Sequence, residues 1–445
     1  MTETPVHKLI LSLSVPTILS MMVTSAYNMV DTAFVGRLGN SASGAVGVVF
    51  GYMAIIQACG FMFGQGSGSL MSRYLGAREK ELADRAASTG FFSCFSVGII
   101  LAVLSAVFLD PLIMLLGSTE TIAPYAKDYI SCLIFTVPFA TSSFTLNNLL
   151  RYEGRASLGM IGLIAGAFLN IAGDAIFMFG LNMGIRGAGL ATALSQVISF
   201  SILASMFVRG RTQCHLSPRK ITLGGRMLSD IILTGFPSML RQALGSLATI
   251  VQNFMAAAYA GDEAVAGMSI VSRVGFFLFA IALGIGQGFQ PVCAFNYGAG
   301  KYKRVRKAYR FTLQASEAVL LVLTVIAMIF SNDIIGIFRD DADVIRIGTR
   351  ALRLLCVAQI FLPLCMVTEM LMQCSGRKLM ASFLSSLRGG ILFIPALLIL
   401  PRFRGLAGVQ EAQPLAYILS VVPALIAARK FFLSIPAEDR DVSAP

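Results

Sequence analysis

The sequence has almost no histidine, and its cysteines do not form metal-binding patterns. Among 445 residues, His7 and His215 are the two histidines. No Cys-x-x-Cys pair occurs among the eight cysteines, and all but Cys214 lie within apolar runs. We therefore predict that the cysteines are buried small side chains and form neither a disulfide framework nor a zinc site. Histidine-based catalysis has equally little support, so we do not expect an enzyme.

Charged residues are scarce as well. They make up 13% of the chain, whereas a soluble protein has about 25%. Hydrophobic residues make up 56%, and the mean hydropathy is +0.76. Apolar runs follow one another, and many reach the roughly 20 residues that an α-helix needs to cross a bilayer. The sequence therefore predicts an all-α integral membrane protein, with the lipid bilayer as its surroundings.

The apolar runs predict about twelve transmembrane spans. Lys and Arg are concentrated in alternate loops, and the positive-inside rule places those loops, and with them both termini, in the cytoplasm. The net charge of +12 is spread over many short loops, which argues against nucleic-acid binding. The predicted spans are 9–36, 44–74, 86–109, 123–150, 157–180, 187–208, 228–258, 264–297, 308–330, 345–374, 379–400 and 412–430.

Two halves of the chain repeat each other. The sequence Gly64-Gln65-Gly66 recurs as Gly286-Gln287-Gly288, and Pro16 aligns with Pro237. The repeat predicts a bundle of six helices at 1–208, a cytoplasmic linker at 209–227, a second six-helix bundle at 228–430 and a cytoplasmic tail at 431–445. Repeated halves are typical of secondary transporters, whose binding sites lie near the middle of the membrane.

Asp31 and Asp174 interrupt apolar runs of the first half. A charged side chain at mid-bilayer costs roughly 2.5–3.5 kcal/mol, so Asp174 and Asp31 are candidates for a functional site. Asn170 lies one helical turn before Asp174, and Thr192 lies on the next span. Such oxygen ligands suit Na⁺, and the same cluster can hold a proton instead. The alternatives are a structural hydrogen bond between helices for Asp174 and an interfacial pair with Arg37 for Asp31.

In the second half, Glu369 lies in the apolar run "LPLCMVTEMLMQC". It can act as an anionic wall that attracts cationic drugs. It can equally form a structural ion pair with an intramembrane arginine. The candidates for that partner are Arg388, Arg241 and Arg273.

Several motifs together resemble the MATE (multidrug and toxic compound extrusion) exporters. They are "YNMVDTAFVGRLG", the two Gly-Gln-Gly turns with their "LGA" and "YGA" sequels, "NNLLRYEGR" and "FLNIAGDAIF". The match covers essentially the whole chain and is strongest with the bacterial MepA-like and DinF-like branch. This resemblance implies a V-shaped pair of six-helix bundles that exports organic, often cationic compounds in exchange for Na⁺ or H⁺. We also expect a monomer in the cell membrane and no cofactor beyond the coupling ion.

The resemblance also implies which residues form the sites. For the coupling ion they are Asp31, Asn170, Asp174, Thr192, Tyr129 and Asn147, of which the first four would be the metal ligands if the ion is Na⁺. We assign the substrate cavity to Glu369, which lies in a region comparable to that of a carboxylate on span 10 in another branch, and to Arg241 and Gln242 of span 7. In another branch of the family span 7 carries an acidic residue, whereas this chain has Arg241 and Gln242 there. That departure weakens any ion site in the second half.

Two other functions fit a polytopic membrane protein. A lipid-linked saccharide flippase of the wider superfamily is expected to line its cavity with basic residues for pyrophosphate, and Arg241, Arg273 and Arg388 keep that alternative open. An integral-membrane transferase would need a catalytic cluster near one interface. The shortage of histidine and of motif-bearing loops speaks against it.

Overall fold

The computed structural model describes residues 1–222, 224–339 and 341–440, apart from the side chains of Asn40 and Asp262. Position 223 of the predicted linker and residues 441–445 of the predicted tail lie outside the described residues. Within these ranges the chain is helical, with no strand. The helices are α1 Val6–Gly36, α2 Asn40–Gly76, α3 Lys80–Val107, α4 Leu109–Leu115, α5 Ala123–Ile134, α6 Val137–Tyr152, α7 Ala156–Asp174, α8 Gly184–Val208, α9 Arg226–Gly298, α10 Tyr302–Ile329, α11 Ser331–Phe338, α12 Ala342–Gln359, α13 Leu362–Cys374, α14 Lys378–Ser386, α15 Phe393–Arg404 and α16 Leu406–Ser434. Two π-helices, Ala175–Gly180 and Leu387–Ile391, and the 3₁₀-helix Pro218–Lys220 complete them.

The number of membrane spans agrees with the sequence prediction. In the described part of the chain, ten helices are long and apolar enough to cross a membrane, and two bent pairs bring the number to twelve. The long helix α9 supplies two of the ten spans, because its backbone breaks at Ala260 and Gly261. The all-α membrane fold is thus confirmed.

The two bent spans occupy equivalent places in the repeat. Helices α5 and α6 meet at 62°, and α12 and α13 meet at 47°. In each pair a proline, Pro138 or Pro363, is the second residue of the second helix. Proline has no backbone N–H to donate, so it is favoured in the first turn of a helix and interrupts the helix before it.

The helices pack as two compact units. The N-terminal unit comprises Leu19–Met239, and the C-terminal unit comprises Met1–Ile18 with Leu240–Pro445. Each unit has its own apolar core, around Val49 and Leu133 in the first and around Leu352 and Leu397 in the second. The boundaries lie within α1 and α9, just beyond Pro16 and Pro237. A division into six-helix bundles at the linker 209–227 stays a prediction.

The two Gly-Gln-Gly segments are not turns, as expected from the sequence, but lie within helices α2 and α9. They do the same packing work in both units. In the N-terminal unit, a Cβ atom on Gly66 would lie 2.0 Å from the carbonyl oxygen of Ile231 in α9. In the C-terminal unit, a Cβ atom on Gly288 would lie 2.1 Å from the hydroxyl of Ser14 in α1. Only glycine allows the helices to approach this closely, which is a common way for membrane helices to associate.

The linker is held firmly on the N-terminal unit by two buried acids. Glu153 accepts hydrogen bonds from the backbone N–H groups of Gln213 at 2.9 Å and Cys214 at 3.0 Å. Asp84 accepts one from the N–H of His215 at 3.0 Å. The segment 211–222 therefore runs along the ends of α3 and α6 and does not hang free.

Candidate functional site

The two predicted acids of the N-terminal unit lie side by side in its interior. Asp31 belongs to α1, Asp174 is the last residue of α7, and their side chains are within hydrogen-bonding range of each other. They are 6% and 0% exposed, respectively. Two carboxylates this close in an apolar interior repel each other unless a cation or a proton lies between them.

A neutral polar network borders the acid pair. The side-chain N–H of Asn170 donates to the hydroxyl oxygen of Thr192 at 3.0 Å, and the hydroxyls of Thr192 and Tyr129 are 2.8 Å apart. All three residues are buried. The amide nitrogen of Asn170 is bonded to Thr192, and its amide oxygen makes no hydrogen bond with the described residues. The structure thus brings together five of the six residues predicted for the ion site.

Four buried oxygens of this cluster have no donor. Among the described residues, no N–H or O–H group donates to either carboxylate oxygen of Asp174, to Oδ1 of Asp31 or to Oδ1 of Asn170. Buried acceptors without donors are rare in folded proteins and each calls for an explanation. Hard oxygen atoms of this kind suit Na⁺, and a carboxylate pair also suits a shared proton. No group of three or more His, Cys, Asp or Glu in the described chain could hold a metal ion, so a zinc-type site has no support there.

The local sequence explains why these side chains meet. At Asp174 the α-helix widens into the π-helix Ala175–Gly180, a form that is frequent at functional sites. Helix α8 can lie directly on that segment, because a Cβ atom on Gly187 would come within 2.7 Å of the carbonyl carbon of Phe177. Gly189 is equally close to the backbone of Tyr129. The glycines of "GIRGAGLATALSQ" therefore bring Thr192 against both Tyr129 and Asn170.

One residue joins the cluster unpredicted, and one predicted residue lies apart. Tyr27 is close enough to interact electrostatically with both Asp31 and Asp174. Its signal in the sequence was its place one turn before Asp31 in "YNMVD". Asn147 instead faces Gly159 on α7. Gly159 precedes Asn170 by eleven residues, which separates the two positions by about 16 Å along the helix.

In the C-terminal unit the predicted acid is paired. The guanidinium of Arg241 donates to the carboxylate of Glu369 at 2.5 Å, and both side chains are buried. Of the three arginines considered as its partner, Arg241 is the one that bonds it. Arg388 lies instead against the rings of Phe279 and Tyr417. Gln242, the remaining predicted cavity residue, is half-buried beside Arg241.

Comparison with known proteins gives a consistent result. A family model described as MatE matches residues 16–176 and again 237–399, so its two copies begin at the prolines that the repeat made equivalent. The multidrug export protein MepA of Staphylococcus aureus (strain MSSA476) is 25% identical over 425 residues, which cover 95% of this chain and 94% of that protein. MepA of Staphylococcus haemolyticus (strain JCSC1435) is 25% identical over 408 residues, with 92% and 90% covered.

Solved structures agree with the sequence relatives. An outward-facing multidrug resistance MATE family transporter of the MOP superfamily superposes with a TM-score of 0.91 at 25% identity, over 97% of both chains. A MOP superfamily transporter from Pyrococcus furiosus, described as having a binding pocket of reverse polarity, superposes with the same score, identity and coverage. With the family model covering most of the sequence in two copies, the chain belongs to the MATE family of membrane transporters.

Proposed function

We propose that this protein is a secondary active antiporter that exports small organic compounds in exchange for Na⁺ or H⁺. The observation that carries the proposal is the set of buried oxygens without donors on Asp31, Asp174 and Asn170. The relatives named as multidrug export proteins support transport over catalysis, and export as its direction. We place the protein in the cell membrane as a monomer with both termini in the cytoplasm.

The acid pair provides a physical basis for coupling. With a cation or proton held between Asp31 and Asp174, their charges are neutralised and α1 and α7 can pack tightly. Without it, a bare carboxylate in an apolar interior is costly, and the N-terminal unit should rearrange to hydrate it. The ion then favours one conformation over another, which coupling requires, since equal affinity for both would shift nothing. Alternating access to the substrate follows from that shift.

The pairing of Glu369 with Arg241 weakens the case for cationic substrates. The sequence prediction of organic cations depended in part on Glu369 as a free negative charge. That carboxylate is bound to Arg241 at 2.5 Å, so its charge is balanced within the C-terminal unit. We therefore propose export of small organic compounds and keep cationic substrates only as an expectation from the family.

The flippase alternative loses part of its support. It needs several basic side chains for a pyrophosphate, and three arginines were available for it. Arg241 is neutralised by Glu369, and Arg273 is exposed on the surface of the C-terminal unit. Arg388 alone remains of the three, and one guanidinium suits one singly charged group better than a pyrophosphate.

The test is resistance and efflux in cells that express equal amounts of each variant. Wild type should confer resistance to at least one compound in a panel of ethidium and of toxic organic anions and zwitterions. Asp174→Asn is nearly isosteric but permanently neutral, so it should insert normally and reduce efflux to the level of cells without the protein. Asp31→Asn should do the same, and the double variant should be no worse than either. Asp110→Asn, at an exposed pair with Lys127, is the matched control and should keep full activity.

Two results would overturn the proposal. One is a wild-type protein that confers no resistance across the whole panel. The other is normal efflux by Asp174→Asn at equal expression, which would leave the acid pair with a structural role.

A further inference from the structure

Arg388 is a buried cation without an anion. It lies in the π-helix Leu387–Ile391, in the middle of the span Lys378–Arg404, and is 7% exposed. Its Nη1 atom is buried and has no acceptor, and no carboxylate of the described chain pairs with it. Buried charges in proteins are normally paired, and an arginine inside a membrane span is rare unless it serves a function.

The described neighbours of Arg388 include two aromatic rings. The charged carbon lies 5.5 Å from the ring centre of Phe279 and 5.3 Å from that of Tyr417. Aromatic rings stabilise a guanidinium through its faces, whereas its N–H donors point outward in its plane. The two rings therefore hold the cation in place, while its Nη1 atom has no hydrogen-bond acceptor among the described residues.

The nearby ion pair does not supply the missing anion. Leu244 packs on Gly390, beside Arg388, and lies about one helical turn from Arg241. Glu369 is already engaged by Arg241. This part of the C-terminal unit thus holds two buried arginines and one buried carboxylate, and the carboxylate is bonded to Arg241 and not to Arg388.

We propose that Arg388 binds the singly charged anionic group, a carboxylate or a phosphodiester, of an aromatic or amphiphilic organic substrate. The planar fork of a guanidinium matches the two oxygens of such a group, and Phe279 and Tyr417 offer aromatic surface to the rest of the molecule. This inference rests on the proposed export function and narrows its substrates to organic anions and zwitterions. The same chemistry can come from a lipid headgroup, so the experiment separates the two sources.

The absence of tryptophan from the chain permits a direct binding assay. Phe279→Trp places a single tryptophan beside Arg388 and preserves the contact between ring and cation. The protein is purified in dodecyl maltoside, which carries no phosphate, and its fluorescence is followed during titration with 4-phenylbutyrate. The same titration is made with the neutral 4-phenylbutanol and with mixed micelles that contain phosphatidylglycerol.

We expect saturable binding of 4-phenylbutyrate at least tenfold tighter than that of 4-phenylbutanol. In the Phe279→Trp background, Arg388→Met should weaken binding of the carboxylate by roughly tenfold to a hundredfold, as for loss of charge-assisted hydrogen bonds. Arg388→Lys keeps the positive charge but lacks the planar fork of the guanidinium, so it should fold and bind the carboxylate with intermediate affinity. Arg353→Met, which removes an exposed arginine of the same unit, is the matched control and should bind as the parent does.

Equal affinities for 4-phenylbutyrate and 4-phenylbutanol, or no change in Arg388→Met, would overturn the proposal. A response to phosphatidylglycerol alone that depends on Arg388 would assign the anion to lipid and overturn the substrate assignment. The assay is made at equilibrium without a gradient. It can therefore fail while Asp174→Asn still loses efflux, or succeed while ion coupling is disproved.

Discussion

The two units share a plan but differ in the sign of their buried charge. The N-terminal unit buries Asp31 and Asp174 with no basic partner among the described residues, whereas the C-terminal unit buries Glu369 with Arg241 and adds the unpaired Arg388. The residues that shape the helices recur in both units, as the Gly-Gln-Gly segments of α2 and α9 and the bent spans do. The residues that carry charge do not recur. Duplication has therefore kept the packing, and each unit has acquired its own chemistry.

The largest effect on stability should come from breaking the ion pair of the C-terminal unit. Glu369→Gln leaves Arg241 as a second uncompensated cation, and loss of one partner of a buried pair costs about 3–5 kcal/mol. Thermal unfolding in detergent can be followed with a fluorogenic thiol dye, because all eight cysteines are free and most are buried. Glu369→Gln/Arg241→Met should recover most of the loss. An unchanged melting temperature in Glu369→Gln would show that the pair does not stabilise this unit.

A smaller loss is expected at Glu153, which is buried but bonded to backbone N–H groups and not to an arginine. Glu153→Ala removes the acceptor of two N–H groups, from Gln213 and Cys214, and should cost about 1–3 kcal/mol of linker docking. The measurement is the rate of limited trypsin cleavage after Arg211 and Arg219. Cleavage at the wild-type rate in Glu153→Ala would mean that other contacts hold the linker.

The pH dependence of the linker separates charge from packing at Glu153. Burial raises the pKa of this carboxyl group, and the N–H groups of Gln213 and Cys214 oppose the rise. The raised pKa belongs to the folded state. The contribution of Glu153 to the stability of linker docking is therefore complete below its pKa in the unfolded state and is lost as the pH rises through its pKa in the folded state. The ratio of cleavage rates of wild type to Glu153→Gln should therefore increase with pH. Taking the ratio at each pH cancels the pH dependence of the protease itself. A ratio that stays constant with pH would contradict the assignment.

The smallest change in stability should follow from Asp174→Asn. The carboxylate of Asp174 has no basic partner to lose. The free energy of unfolding of the variant should therefore lie within about 1 kcal/mol of the wild-type value or exceed it. The same thiol-dye assay applies, with Asp110→Asn as the surface control. A loss as large as that of Glu369→Gln would remove the contrast between the two units.

The sequence allowed the spans and most of the candidate ion site to be predicted, for different reasons. Apolar runs of bilayer length define the twelve spans by themselves. Asp31, Asn170 and Asp174 could be identified because acids and amides are costly inside a membrane, and the helical period put the last two on one face. Thr192 has no such cost, and Tyr129 was expected only from the family resemblance.

What escaped prediction depends on how helices rotate and end. Three arginines could have bonded Glu369, and the choice of Arg241 follows from the relative rotation of α9 and α13, which hydropathy does not encode. Asn147 is polar like the site residues, but it lies on α6 opposite Gly159, several helical turns of α7 away from Asn170. The docking of the linker by Glu153 requires backbone geometry that no side-chain pattern reveals.

The most direct test of the acid pair is transport in proteoliposomes with Na⁺ and pH gradients imposed separately. The substrate is a compound to which wild type confers resistance, and Asp110→Asn serves as the control. Wild type and the control should accumulate or expel it in response to one of the two gradients, and Asp174→Asn should respond to neither. Gradient-driven transport by Asp174→Asn at the wild-type rate would contradict the role of Asp31 and Asp174 as the coupling site.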